Sequence, residues 1–130
     1  MRAPDFSKGY VLQVDALGYA VGACVSQVDE LGEEHPIAYA SQKLTDSQSK
    51  WSTIEKEAFA VVWALKRFDS LLFGTNIDIV SDHNPLAYLA ESCSKSAKLT
   101  RWALALQRYK CTLRHRAGSK HSNADMLSRI

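Results

Sequence analysis

Apolar and polar residues over the first forty positions alternate with the short period of β-strands. Gly9 to Asp15 (GYVLQVD) alternates loosely and is rich in strand formers, which predicts a first strand. Asp15-Ala16-Leu17-Gly18 makes a tight connection to Tyr19 to Val28 (YAVGACVSQV), a second strand with several small residues. Asp29 to Glu34 (DELGEE) is a polar hairpin loop containing Gly32. His35 to Gln42 (HPIAYASQ) is a third strand, with Pro36 near its start, where a missing N–H is tolerated. Three antiparallel strands joined in order are expected.

The period then changes. Ser52-Thr53-Ile54-Glu55 has the form of a capping box, and Ile54, Ala58, Val61, Val62, Leu65 and Phe68 follow at helical spacing. This helix should stop before Gly74, which suits a helix terminus. Asn76 to Asp82 (NIDIVSD) reads as a fourth strand, with Ile77, Ile79 and Ser81 on one parity. Pro85 to Ala90 is a short helix, and Ala97 to Tyr109 a longer amphipathic one with Leu99, Trp102, Ala103, Leu106 and Tyr109 on its apolar side. Lys110 to Arg116 is a fifth strand, and Ala124 to Ile130 begins a last helix. The order βββ-α-β-α-α-β-α predicts an α/β domain with a mixed five-stranded sheet flanked by helices.

Composition narrows the class. The 130 residues fit one domain with no internal linker or repeat. Cys24, Cys93 and Cys111 are far apart and form no CxxC pair, which excludes a disulfide framework or zinc cluster and suits a reducing, intracellular setting. The longest apolar run, Ala58 to Leu65, is too short for a membrane span, and MRAPDFSKGY lacks the apolar stretch of a signal peptide. A soluble intracellular protein with no membrane partner is expected. The net charge of +2 hides an asymmetry: from Lys95 onward there are nine Lys or Arg residues and one acid, Asp125, whereas before Lys95 acids outnumber bases thirteen to seven. A polyanionic partner and a solvated basic helix face are both compatible with that skew.

Three acids keep apolar company. Asp15 and Asp82 each close an apolar strand, and Glu57 lies three residues after Ile54 and four before Val61, on the core-facing stripe of the helix. Glu55 and Lys56 point elsewhere and can face solvent. Burial disfavours a charged carboxylate, so Glu57 needs a compensating partner. If the three acids converge, their repulsion makes a divalent cation the natural compensator, and oxygen ligands without His or Cys favour Mg²⁺ or Mn²⁺ over zinc. Periodicity leaves the alternative open, in which Asp15 and Asp82 are turn or cap residues and Glu57 pairs with a lysine one turn away.

Taken together, HPIAYASQKLT (His35 to Thr45), WSTIEKEAFAVVWALKRF (Trp51 to Phe68), VSDHNPLAYL (Val80 to Leu89), LTRWALALQRY (Leu99 to Tyr109) and RAGSKHSNADMLSR (Arg116 to Arg129) resemble, in order, the ribonuclease H domain of gypsy-type LTR retrotransposon reverse transcriptases. The resemblance covers about Asp5 to Arg129. It implies the ribonuclease H-like fold and a site of four carboxylates, which fall on Asp15, Glu57, Asp82 and Asp125. It also implies two Mg²⁺ ions, replaceable by Mn²⁺, and cleavage of the RNA strand of an RNA–DNA hybrid to leave 5′-phosphate and 3′-hydroxyl ends. The polymerase of the same polyprotein would be a partner, in a cytoplasmic virus-like particle with a nuclear phase left open. Phosphate contacts would come from the basic C-terminal third, with Lys98, Arg101, Arg108, Arg114 and Arg116 as candidates where they face solvent. The whole chain, 1–130, would be one such domain, with 1–8 a linker from the polymerase side and Pro4-Asp5-Phe6 resembling that join, as in an excised fragment.

Some positions depart from the family. Leu17 stands where Ser is frequent, and His121 where Asn is usual. His115 lies where these elements often have Tyr and cellular ribonucleases H have a His that assists proton transfer or product release. It is a candidate for that part or a strand histidine near phosphates. His35 and His83 belong to family motifs and read as structural or hydrogen-bonding. A non-catalytic domain of the same fold is the first alternative, but such domains typically lose carboxylates, and all four are in place. An integrase core is the second, but its acids are spaced differently and it lacks the IAYAS and ADMLSR segments.

Overall fold

The computed structural model describes residues 9–115, the side chains of 114 and 115 apart. The segment 1–8, the expected last helix, Arg116 and Asp125 therefore lie outside the described residues.

The three N-terminal strands form as expected: β1 (Tyr10–Ala16), β2 (Ala20–Val28) and β3 (Glu34–Lys43) make an antiparallel meander. The register shifts between Val25 and Ser26, where Val25 pairs with Ala38 and Ser26 with Pro36. Pro36 thus sits at a bulge on an edge strand, where its missing N–H costs no ladder bond. The strands β4 (Asn76–Ser81) and β5 (Lys110–His115) add in parallel, giving the sheet order β3-β2-β1-β4-β5. Gly9 lets the start of β1 lie against β4, because a Cβ there would come within 2.7 Å of the Asn76 carbonyl oxygen.

Between β3 and β4 the expectation was one helix, and the structure has three: α1 (Asp46–Ser49), α2 (Thr53–Arg67) and α3 (Asp69–Leu72). The short α1 is held by a complete capping box between Thr45 and Gln48, a T-x-x-Q signal. At α2 only half of the expected box forms. Ser52 accepts from the Glu55 amide, but the Glu55 carboxylate is drawn away to Lys98. The helix breaks at Phe68, with φ −108° and ψ 24°, and one further turn ends before Gly74, whose φ of +84° is the left-handed conformation that favours glycine.

Between β4 and β5 run α4 (Pro85–Ser92), a 3₁₀ turn (Cys93–Lys95) and α5 (Ala97–Leu106). Helix α5 ends three residues earlier than its pattern predicts. Tyr109 is buried, its hydroxyl donates to the Asp69 carboxylate and lies 3.2 Å from the Leu65 carbonyl oxygen, and the Tyr109 amide closes a tight turn onto Leu106. The chain is thereby free to start β5 at Lys110, opposite Asn76.

Helix α2 is buried on two sides. Ala60, Val61, Ala64 and Leu65 pack on Leu12, Val14, Val21, Ala23, Ile77 and Ile79 of the sheet. Ala58 and Val62 meet Leu89, Leu99 and Trp102 of α4 and α5. The alanines let the sheet and both helices approach closely, and each large aliphatic side chain so buried stabilises the fold by about 1.5–3 kcal/mol. Trp51, Phe59 and Trp102 close this second cluster edge to face, with Trp51 5.6 Å from Phe59 and 5.4 Å from Trp102. Among the described residues, no helix is long and apolar enough to cross a membrane.

Candidate active site

The sheet topology decides where the acids go. Strands β1 and β4 run parallel, with Tyr10 opposite Ile77 and Gln13 opposite Val80. Two further residues along the same register, Asp15 and Asp82 are level, at the carboxyl ends of neighbouring strands. Crevices at such strand ends are the usual ligand sites of α/β sheets. Glu57 enters from above, on the first half of α2, and its side chain is buried with 2% of its surface exposed. The stripe inferred from sequence is real, since Glu57 faces inward with Ala58 and Val61.

Glu57 is strongly perturbed. Its carboxyl is pushed up from the usual 4.5 to about 7, chiefly by burial and further by the charges of Asp15 and Asp82, while hydrogen bonds from the Ser81 hydroxyl and Ala16 amide pull the other way. The Ser81 hydroxyl donates to Glu57 Oε2 at 2.9 Å, and His83 Nδ1 lies 4.0 Å from Glu57 Oε1. The Ala16 amide is also 3.0 Å from Asp15 Oδ1. Three of the four acids named from sequence are therefore brought together: Asp15, Glu57 and Asp82. The alternative in which Glu57 pairs with a lysine one turn away is not what forms; a strand hydroxyl and two acids surround it. Asp125 lies outside the described residues. His115 is placed only by its backbone, beside Ser81 at the same strand ends.

Ser81 is the contributor that the sequence reading did not name as part of the site. It lies on the inward parity of β4 with Ile77 and Ile79 and is wholly buried. A hydroxyl at an inward strand position, one residue before a candidate ligand, is the signal that points to it.

The basic candidates divide. The Lys98 ammonium pairs with Glu55 and lies 4.0 Å from the Trp51 ring centroid, over the aromatic cluster. Arg108 holds Asp69 with both forks, at 3.0 and 3.2 Å, and stacks 3.9 Å over Phe73. Arg101 is exposed and, among the described residues, makes no ion pair. The Arg114 side chain and all of Arg116 lie outside the described residues.

A second group of ligand-type side chains has a different purpose. Atoms of Asp29, Glu33 and His35 lie within 4.8 Å of one another on the β2–β3 hairpin. Asp29 Oδ1 accepts from the Leu31 and Glu33 amides, each at 2.9 Å, and Oδ2 meets His35 Nε2 at 2.6 Å. These bonds cap the turn and hold the Asp29 carboxyl down near 2, the His35 contact most of all. His35 is thus a hydrogen-bonding residue of the hairpin, as its motif suggested. Burial pushes the Cys24 and Cys111 thiols up to about 11, so neither is poised as a thiolate.

A five-stranded mixed sheet with a carboxylate cluster at its parallel strand ends, covered by helices, is the ribonuclease H-like fold. The chain belongs to the family of RNase H-like domains found in reverse transcriptase, whose model matches residues 5–109. It is 42% identical over its whole length to the retrovirus-related Pol polyprotein from transposon 297 of Drosophila melanogaster, and 32% identical over 99% of its length to that from transposon gypsy. It spans only 12% of each of those polyproteins. In fold it resembles the foamy viral protease-reverse transcriptase in complex with RNA/DNA hybrid, with a TM-score of 0.69 and 21% identity over 88% of this chain and 16% of that one. It also resembles RNase H1 from Halobacterium salinarum, with a TM-score of 0.55 and 15% identity over 92% of this chain and 94% of that one.

Proposed function

We propose that the domain is a metal-dependent ribonuclease H that hydrolyses the RNA strand of RNA–DNA hybrids during reverse transcription of a gypsy-type element. The observation that carries this reading is the buried Glu57, raised to about 7 in the company of Asp15 and Asp82. Three carboxyl groups brought together away from water are suited to a cation, and their oxygens fit Mg²⁺ or Mn²⁺.

Asp15, Glu57 and Asp82 would hold two such ions, with Asp125 completing the set by resemblance to the family. Ions held there would supply an activated water and stabilisation of the leaving 3′ oxygen. The chain's own residues prepare for this. Strands β1 and β4 fix two carboxylates level with each other, α2 brings the third, and Ser81 and the Ala16 amide orient it. The RNA strand differs from DNA by its 2′-hydroxyl, which can both donate and accept hydrogen bonds. Of the basic candidates, Arg101 is exposed and makes no ion pair among the described residues, which leaves it free to contact phosphate. The reaction would take place beside the polymerase of the same polyprotein, in the particle where reverse transcription occurs.

The test is cleavage of an end-labelled RNA–DNA hybrid by the purified domain with Mg²⁺ or Mn²⁺, beside all-DNA and all-RNA duplexes. The expected result is cutting of the RNA strand of the hybrid alone, with 5′-phosphate ends, and none by Asp82→Asn. Wild-type protein inert with both metals, at low salt and high enzyme, would contradict the reading.

A further inference from the structure

We propose that Ser81 is a positioning residue whose hydroxyl fixes the rotamer of Glu57 and so sets the affinity of the carboxylate cluster for a divalent cation. The inference rests on the proposed metal site and assigns to it a residue that does not itself ligate.

The hydrogen-bond pattern gives the direction. Ser81 Oγ lies 2.9 Å from Glu57 Oε2 and 3.4 Å from the His83 amide nitrogen. The ionised Glu57 carboxylate that a cation requires can only accept, so the Ser81 hydroxyl donates to it, while the His83 amide donates to a lone pair of Oγ. Ser81 is wholly buried and Glu57 is 2% exposed, so water does not compete for either group. The contact also ties two elements together: Ser81 ends β4, and Glu57 lies on α2, twenty-four residues earlier in the chain.

Consequences follow from where Ser81 stands. It immediately precedes Asp82, so one strand end carries both a candidate ligand and the clamp for another. With Oε2 held by Ser81, Glu57 Oε1 is the oxygen turned toward His83, whose ring is 44% exposed at the mouth of the site. Without the clamp, repulsion from Asp15 and Asp82 would favour rotation of Glu57 away from them. A bond from a neighbour to a ligating carboxylate typically changes metal affinity 10- to 100-fold.

The experiment is Mn²⁺ binding to the domain without substrate, by calorimetry or by the electron paramagnetic resonance of free Mn²⁺. It compares wild type, Ser81→Ala, Ser81→Thr and Ser81→Ala in a Glu57→Gln background, with circular dichroism as the check on folding. Ser81→Ala is expected to weaken binding about 10-fold or more, Ser81→Thr to stay within about 3-fold of wild type, and Ser81→Ala to add nothing once Glu57 is an amide. If the alanine variant does not fold, Ser81→Cys keeps the size with a weaker donor and should show the same loss. Wild-type affinity in Ser81→Ala, or an equal loss in the Glu57→Gln background, would overturn the inference. Failure of the wild type to bind Mn²⁺ at all would count instead against the metal site.

Discussion

The ammonium of Lys98 lies 4.0 Å from the ring centroid of Trp51 and pairs with Glu55, so a residue that sequence places among hybrid-binding cations is held within the protein. Arg108 is likewise occupied by Asp69. Arg101, one helical turn along from Lys98, is exposed. Lys98→Ala should therefore cost about 1 kcal/mol of stability and change hybrid affinity less than about 2-fold. Arg101→Ala should leave stability alone, weaken hybrid binding and reduce its salt slope by about one. Urea denaturation and salt-dependent fluorescence anisotropy would separate the two, and the reverse pattern would contradict the assignment.

Glu57 predicts an unusual pH dependence for the metal-free protein. Its folded pKa, about 7, exceeds the ordinary 4.5, so the folded state holds the proton more tightly than the unfolded chain. Stability from this group is full below about pH 4.5 and is lost as pH rises toward 7, an effect on the order of 3 kcal/mol at most. Urea midpoints in EDTA should fall across that window in wild type and fall less in Glu57→Gln, which should also be the more stable protein at pH 8.

A cation should reverse that trend. Binding requires ionised carboxylates, so Mg²⁺ must displace the proton on Glu57. Millimolar Mg²⁺ should raise Tm more at pH 8 than at pH 5.5, and Asp15→Asn or Asp82→Asn should reduce the gain. An equal Mg²⁺ effect at both pH values would argue for non-specific binding.

Tyr109 anchors the turn that launches β5. Its hydroxyl donates to the Asp69 carboxylate, which also grips Arg108, and lies 3.2 Å from the Leu65 carbonyl oxygen. Tyr109→Phe should cost about 1–2 kcal/mol by denaturation, because it removes a buried hydrogen bond without removing the ring. Leu65→Ala, in the fully buried core beneath it, should cost about 2–5 kcal/mol.

Period told strand from helix wherever the pattern was long. The meander, α4 and β4 fall within a residue or two of their expected limits, and α2 starts where expected, because one buried face per element writes itself into the spacing of apolar side chains; the break at Phe68 left no mark in that spacing. Glu57 was legible for the same reason: it interrupts that stripe. The misses have tertiary causes. The far end of α5 is decided by the Tyr109 hydroxyl reaching Leu65, forty-four residues away in sequence, and Glu55 leaves its capping box for Lys98 on another helix. Level placement of Asp15 and Asp82 depends on parallel pairing of β1 with β4, which no local spacing encodes. Ser81 was hidden because a serine on an inward parity is chemically silent until its partner is known.

Whether Asp15, Glu57 and Asp82 form a divalent-cation site is open to direct observation in crystals of the domain soaked in Mn²⁺ and recorded at a wavelength where manganese scatters anomalously. An anomalous peak is expected within about 2.0–2.4 Å of carboxylate oxygens of all three residues, absent in Asp82→Asn. Well-ordered carboxylates with no peak between them, in crystals where Mn²⁺ is bound elsewhere on the surface, would contradict the cation site.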